Sequence, residues 1–164
     1  MKEADRKKRN ETLLLELHPN FRARIQQVIV TLEALGLRPR IQEAWRSPAK
    51  QLKAFKKGFS KLKFGFHNVT ASDGTREALA VDLVDDNSPL NPSRQYLLKL
   101  AAAAAAAGLT TGIRWGVPEE LIGSIDAAIA AQDWNAKVKL GWDPTHVQPT
   151  DITVDQAKAG LRPM

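Results

Sequence analysis

The chain has 164 residues, 43% of them hydrophobic and 26% charged, with a formal charge of +6 and no cysteine. That length suits one domain able to bury most of its apolar surface without disulfides. The lack of thiols excludes cysteine nucleophiles, disulfide frameworks and every cysteine-based zinc site. No window approaches the roughly 18 to 20 apolar residues that span a bilayer. The segment Met1 to Arg6 is charged and leads into no apolar stretch, so no secretory signal is expected. The expectation is a single domain over 1–164, made and first held in the cytoplasm, with no obligate oligomer.

Residues 1–10 read as a flexible basic leader. Asn10 or Thr12 can cap a helix whose apolar positions run from Leu13 to Leu35, broken near His18-Pro19 and closed at Gly36. His18 reads as a surface or capping residue rather than a ligand. Leu37 to Trp45 reads as a strand, and Ser47-Pro48 as the N-cap and first residue of a helix carrying Gln51, Leu52 and Phe55. Six lysines and no acid lie between Ser47 and Lys63. They form either a surface for polyanions or a solvated helix face. Without aromatics interleaved to stack bases, no nucleic-acid partner is expected.

Gly58 to Asn68 is a loop, and Asn68 to Glu77 is polar and turn-rich around Ser72-Asp73-Gly74. Ala78 to Val84 alternates as a strand with Asp82 in its middle, where a carboxylate is costly to bury without a cation or hydrogen bonds. Asp85 and Asp86 close that strand and can be solvated. A helix opens near Asn91-Pro92 and runs through seven alanines, Ala101 to Ala107, to Gly108. Leu109 to Gly116 suggests a short strand and Pro118 to Ala131 a further helix. Val138, Leu140 and Trp142 alternate into a turn at Asp143 to His146, and Val147 continues a strand. In the tail, 150–164, Val154 to Ala159 can form one more short helix.

Only three histidines exist, His18, His67 and His146, so a metal must be held by histidine and carboxylate. A catalytic zinc takes three protein ligands and keeps one position for water. His67, Asp82 and His146 can supply them, each at a strand or strand edge, so that one sheet could bring them together. Asp143, three residues before His146, is placed to serve as general base for the water, or else to orient the ligand imidazole. Arg46, at a strand end beside a helix start, can bind a substrate carboxylate or stabilise an oxyanion. Gln51 lies on the same edge as a second substrate contact.

In this order, Trp45-Arg46-Ser47-Pro48 with Gln51, His67, Ala80-Val81-Asp82-Leu83, Trp115-Gly116 and Trp142-Asp143-Pro144-Thr145-His146-Val147-Gln148 resemble the M15 zinc metallopeptidases. That family includes D-alanyl-D-alanine carboxypeptidases and the L-alanyl-D-glutamate endopeptidases that serve as bacteriophage endolysins. The early segment ending His18-Pro19-Asn20-Phe21 is similar to the endolysin branch. The resemblance implies an α+β fold with a small antiparallel sheet flanked by helices and one Zn2+. It implies His67, Asp82 and His146 as ligands, Asp143 as base and Arg46 as substrate or transition-state contact. It further implies peptidoglycan as substrate and lysis of a bacterial host once a partner such as a holin has opened the membrane.

The family pattern has six residues between the first histidine and the aspartate, whereas fourteen separate His67 from Asp82. Either Asn68 to Glu77 is an insertion over the cleft, or His67 is not the ligand. Gly65 and Ala78 also replace the family's serine and glycine. From another class comes a non-catalytic module whose basic helix binds nucleic acid or an anionic envelope polymer.

Overall fold

A computed structural model describes all residues, 1–164. Its elements are helices α1 (Glu3–Leu14) and α2 (Pro19–Ala34), strand β1 (Pro39–Glu43), helix α3 (Pro48–Lys56), a 3-10 turn at Phe66–Asn68, and strand β2 (Val81–Asp85). Then come α4 (Arg94–Ala106), β3 (Leu109–Gly112), α5 (Glu119–Ala130), β4 (Asp143–Pro149) and α6 (Val154–Lys158). The strands form one antiparallel four-stranded sheet in the order β1-β2-β4-β3. This is the small antiparallel sheet flanked by helices that the resemblance implied.

Local signals account for most of the elements. His18 caps α2, its Nδ1 accepting from the Asn20 amide at 3.3 Å, with Pro19 in the first turn. Ser47 caps α3 and Ser93 caps α4 in the same way. Gly36, at φ 78°, supplies the left-handed residue that ends α2. Phe21, Ile25, Val28 and Leu32 of α2 are wholly buried against Ile41, Leu83 and the α4 face that carries Tyr96, Leu100 and Ala104. Alanines on α4 let the neighbouring elements approach closely. A smaller cluster, Leu98, Ala101, Ile113, Val117 and Ile125, seats α5 on the far side of α4.

Four expectations are corrected. Residues 1–10 are not a flexible leader, because residues 3–10 belong to α1, and Arg6 and Asn10 are buried. The helix lies along the free edge of β1. Arg6 donates to the Pro39 carbonyl at 2.6 Å, Asn10 bridges the Pro39 carbonyl and the Ile41 amide, and Arg9 donates to the Ile41 carbonyl at 2.9 Å. Polar side chains thus cover an edge strand that would otherwise present unpaired backbone, a role that apolar periodicity cannot reveal.

Asp85 and Asp86 are buried, not solvated. Asp86 pairs with Arg38 at 2.9 Å, Arg40 at 3.0 Å and the Met1 amino group at 3.0 Å. Val138 to Trp142 is irregular, and the strand begins only at Asp143, so Asp143 and His146 share a strand rather than a turn. The strand expected over Leu109 to Gly116 stops at Gly112.

The Asp86 cluster sets an acid sensitivity. Burial disfavours its charge, but the Met1 amino group and the Arg38 and Arg40 guanidinium groups outweigh this and hold the carboxyl below its usual range. A depressed folded pKa contributes stability above the unfolded value of about 3.9 and loses it as pH falls through the folded one. Asp86→Asn is expected to cost about 3–5 kcal/mol at neutral pH by leaving Arg40 and the Met1 amino group without their anion and Arg38 with Glu3 alone. Thermal melts of the two proteins should converge as the pH drops below about 4.

Candidate metal centre

Strand register brings the first group together. Glu43 of β1 faces Asp82 of β2, and Asp82 faces His146 of β4, so the three form one row across one face of the sheet. Directly opposed residues hold their side chains about 4.5–5.5 Å apart. His67 joins from outside the sheet, on the 3-10 turn and not on a strand edge as expected. The turn is fastened to the end of β1: the Arg46 amide donates to the His67 carbonyl at 2.9 Å, and Asn68 donates to the Arg46 carbonyl at 2.9 Å. Asn68 also accepts from the Gly65 amide at 2.7 Å and is wholly buried.

His67, Asp82 and His146 each place one ligand atom within 4.8 Å of the others. His67 Nε2 lies 3.6 Å from Asp82 Oδ2, and His146 Nδ1 lies 3.5 Å from Asp82 Oδ1. The remaining ring nitrogens are committed elsewhere. His67 Nδ1 donates to the Ala44 carbonyl at 2.6 Å, and His146 Nε2 donates to Gln148 Oε1 at 2.9 Å. Each imidazole therefore turns its other ring nitrogen toward the carboxylate, and in the neutral tautomer that nitrogen would offer a lone pair to a metal. Tetrahedral ligation with bonds near 2.0–2.2 Å needs donor separations of about 3.3–3.6 Å, which these pairs satisfy. Two imidazoles with one carboxylate suit a zinc ion that keeps a position open.

The electrostatics agree. Burial would raise the pKa of Asp82, but hydrogen bonding to His146 and His67 holds it far below the usual carboxylate range, so it is an anion. Burial lowers the pKa of His67, and the Asp82 carboxylate and Ala44 carbonyl more than reverse this. The triad thus sets the Asp82 anion between two imidazoles, a charge demand that a cation would meet.

Asp143 stands at the start of β4 with Oδ2 3.9 Å from His146 Nδ1. Burial is the main influence raising its pKa, and the charge of Asp82 adds to it against the pull of the imidazoles and Arg46. Since Gln148 already takes the outer nitrogen of His146, Asp143 is not that ring's hydrogen-bonded orienter. Its place depends on close backbone packing. A methyl group at Gly112 would overlap the Asp143 carbonyl, and one at Gly141 would meet the Gly112 carbonyl and the Trp115 backbone. Trp115 lies against His146 with ring centroids 5.2 Å apart.

Arg46 opens onto the same cleft of about 770 Å³, along with His67, Asp82, Asp143, His146 and Trp115. Its Nε bonds Glu43, and its Nη1 donates to Gln51 Oε1 at 2.9 Å. Gln51 is 3% exposed, and its amide donates to Ser60 Oγ at 2.8 Å and the Leu62 carbonyl at 2.7 Å. Gln51 thus braces Arg46 against the 58–62 loop while lining the same cleft. Sequence reasoning missed Glu43 and Gln148. The signal for Gln148 was its position two residues from His146 on a strand, hence on the same face. Replacing it with alanine is expected to weaken zinc affinity about 10- to 100-fold, measured by competition with a chromogenic chelator.

The stretch Asn68 to Glu77 does not cover the cleft. It forms a small hairpin, Thr70 pairing with Arg76, held by Arg76–Glu16 at 2.7 Å and by Arg162 on Glu77. It walls a separate cavity of about 580 Å³ near His18 and α6. The long spacing is therefore absorbed away from the metal centre, and His67 keeps its place in it.

No family model matches the sequence, and no curated protein is similar to it in sequence. In structure the chain is similar to the crystal structure of the Serratia marcescens L-Ala D-Glu endopeptidase ChiX, with a TM-score of 0.53 and 20% identity over 87% of this chain and 86% of that one. The chain therefore shares the fold of that endopeptidase and carries on it a His-Asp-His cluster capable of holding a metal ion.

Proposed function

We propose that this protein is a zinc-dependent peptidase that hydrolyses a peptide bond in the peptidoglycan stem, of the L-alanyl-D-glutamate endopeptidase type found in phage endolysins. The observation that carries the reading is the meeting of His67, Asp82 and His146, ligand atoms inward, at the floor of a cleft that also holds Asp143. Zn2+ bound there would polarise a carbonyl oxygen and lower the pKa of water toward about 7.

The chain's own groups supply the rest. Ala44 and Gln148 hold the two rings in the required tautomers. Asp143, with its basicity raised by burial, accepts a proton from the attacking water and returns it to the amine that leaves. Arg46, fixed by Glu43 and Gln51, faces a substrate carboxylate or the oxyanion of the tetrahedral intermediate. Trp115 walls the site beside His146. In a phage setting the enzyme acts on the wall of its host after membrane permeabilisation, and its basic surface favours approach to anionic envelope polymers.

Dialysis against a strong chelator should abolish release of peptide fragments from purified peptidoglycan, and Zn2+ should restore it. Mass spectrometry should then show a new amine on the D-glutamyl residue. Undiminished release in chelator would exclude a metal mechanism. Loss of terminal D-alanine alone would make the enzyme a D-Ala-D-Ala carboxypeptidase instead.

A further inference from the structure

Helix α3 is built inside out. Of its nine residues it buries one, and that one is polar, Gln51. Phe55 is half-buried beside the Lys63 ammonium, but Leu52 is 38% exposed, and after the helix Phe59 is 83% and Leu62 52% exposed. The chain leaves α3 through Gly58 at φ 78°, with the Phe59 amide bonded to the Ala54 carbonyl. In such a C-terminal cap the following apolar residue ordinarily packs back on the helix, whereas here Phe59 projects outward. Across the cleft mouth, which Phe59 and Leu62 line, stands Trp142, 64% exposed with the Lys61 ammonium 5.8 Å over its ring.

The charge along this stretch has one sign. Lys50, Lys53, Lys56, Lys57, Lys61 and Lys63 are all exposed, and no acid lies between Ser47 and Lys63. Of these lysines only Lys50 pairs with a carboxylate, Glu43 at 3.7 Å, which itself bonds Arg46; Asp82 and Asp143 line the cleft that Phe59 and Leu62 also line. The expectation that this stretch lacks aromatics interleaved with its lysines is corrected: Phe55 and Phe59 lie among them, and Phe59 is exposed.

We propose that α3 and the 57–63 loop form a docking surface for an anionic phospholipid bilayer. Exposed Leu, Phe and Trp side chains interleaved with lysines are what an interfacial segment needs: apolar groups enter the headgroup boundary while ammonium groups pair with lipid phosphates. A soluble polyanion would use the lysines but leaves Leu52 and Leu62 without a role. A second copy of the chain would set the same lysines against each other. The bound chain opens its cleft at headgroup level. The proposal is independent of the peptidase reading.

The test is co-sedimentation of the full-length protein with vesicles containing about one quarter phosphatidylglycerol in phosphatidylcholine, against phosphatidylcholine alone. Binding is expected to the anionic vesicles only. Replacing Lys53, Lys56 and Lys57 together with glutamine should weaken it on the order of 100-fold. Leu52→Ser with Phe59→Ser, which leaves the charge unchanged, should weaken it about tenfold or more, with circular dichroism confirming the fold. Asp143→Ala should bind as wild type, whatever its effect on turnover. Undiminished vesicle binding by the Leu52/Phe59 variant would overturn the proposal, leaving a purely electrostatic patch. So would binding to a DNA oligonucleotide or a glycerol-phosphate polymer without binding to vesicles, or burial of the surface in a dimer detected by sedimentation velocity.

Discussion

Asp143→Ala is expected to lower peptidoglycan turnover about 10²- to 10⁴-fold, the range typical of a lost general base, while bound zinc stays near one per chain. The separation of the two effects follows from the geometry. The Asp143 carboxylate is 3.9 Å from His146 Nδ1, whereas the tautomer of that ring is set by Gln148 on its other nitrogen. Removing Asp143 therefore leaves all three donors and both orienting hydrogen bonds in place. Asp143→Asn should lose as much activity as the alanine variant, because it preserves the side chain's shape and abolishes its basicity. Metal analysis alongside initial rates decides the matter. A variant that loses zinc would make Asp143 part of the metal-binding framework and not the base.

Asp82→Ala should have the opposite signature, with the metal lost first and activity as a consequence. Asp82 is the one anion of the triad and sits between the two imidazoles at 3.6 and 3.5 Å. Without it, two neutral nitrogens face a divalent cation in a largely buried setting. Zinc affinity should fall by more than about 100-fold, beyond the loss typical of an orienting residue. Thermal unfolding reports this independently of turnover. Zinc at about 100 times its dissociation constant stabilises a folded protein by about 2.7 kcal/mol, a shift of roughly 5–11 °C for a domain of this size. Wild type should show such a shift and Asp82→Ala should not. An equal shift in both would place the metal elsewhere.

The two variants also show which parts of the site were legible from residues alone. With no cysteine and only three histidines, a metal had to be held by histidine or carboxylate, His67 and His146 were the candidate imidazoles, and Asp82 stood out as an acid in the middle of an apolar strand. That much is chemistry of residue type. The orientation of the rings was not legible, because Ala44 contributes a backbone carbonyl, and carbonyls carry no sequence signature. Glu43 enters the site only through register, which aligns it with Asp82, and through Arg46, which bonds it. Gln51 was expected on the cleft edge beside Arg46; its bonds to Arg46, Ser60 and the Leu62 carbonyl depend on the 58–62 loop and were not legible from spacing.

What the sequence by itself determined were features decided within a turn or two of chain: the Ser47 cap, the break at His18-Pro19, the alanine helix and the short helix from Val154. These depend on hydrogen bonds and side-chain spacing among near neighbours. Only the tertiary structure decided that residues 3–10 are helical, that Asp86 is buried, that Asn68 to Glu77 folds away from the cleft, and that His67, Asp82 and His146 meet. Each of these depends on partners tens of residues distant: α1 on the free edge of β1, Asp86 on Arg38 and Arg40, and the metal centre on the register between β2 and β4. Register is set by how a whole sheet packs, since a slip of one residue would turn Asp82 or His146 to the opposite face.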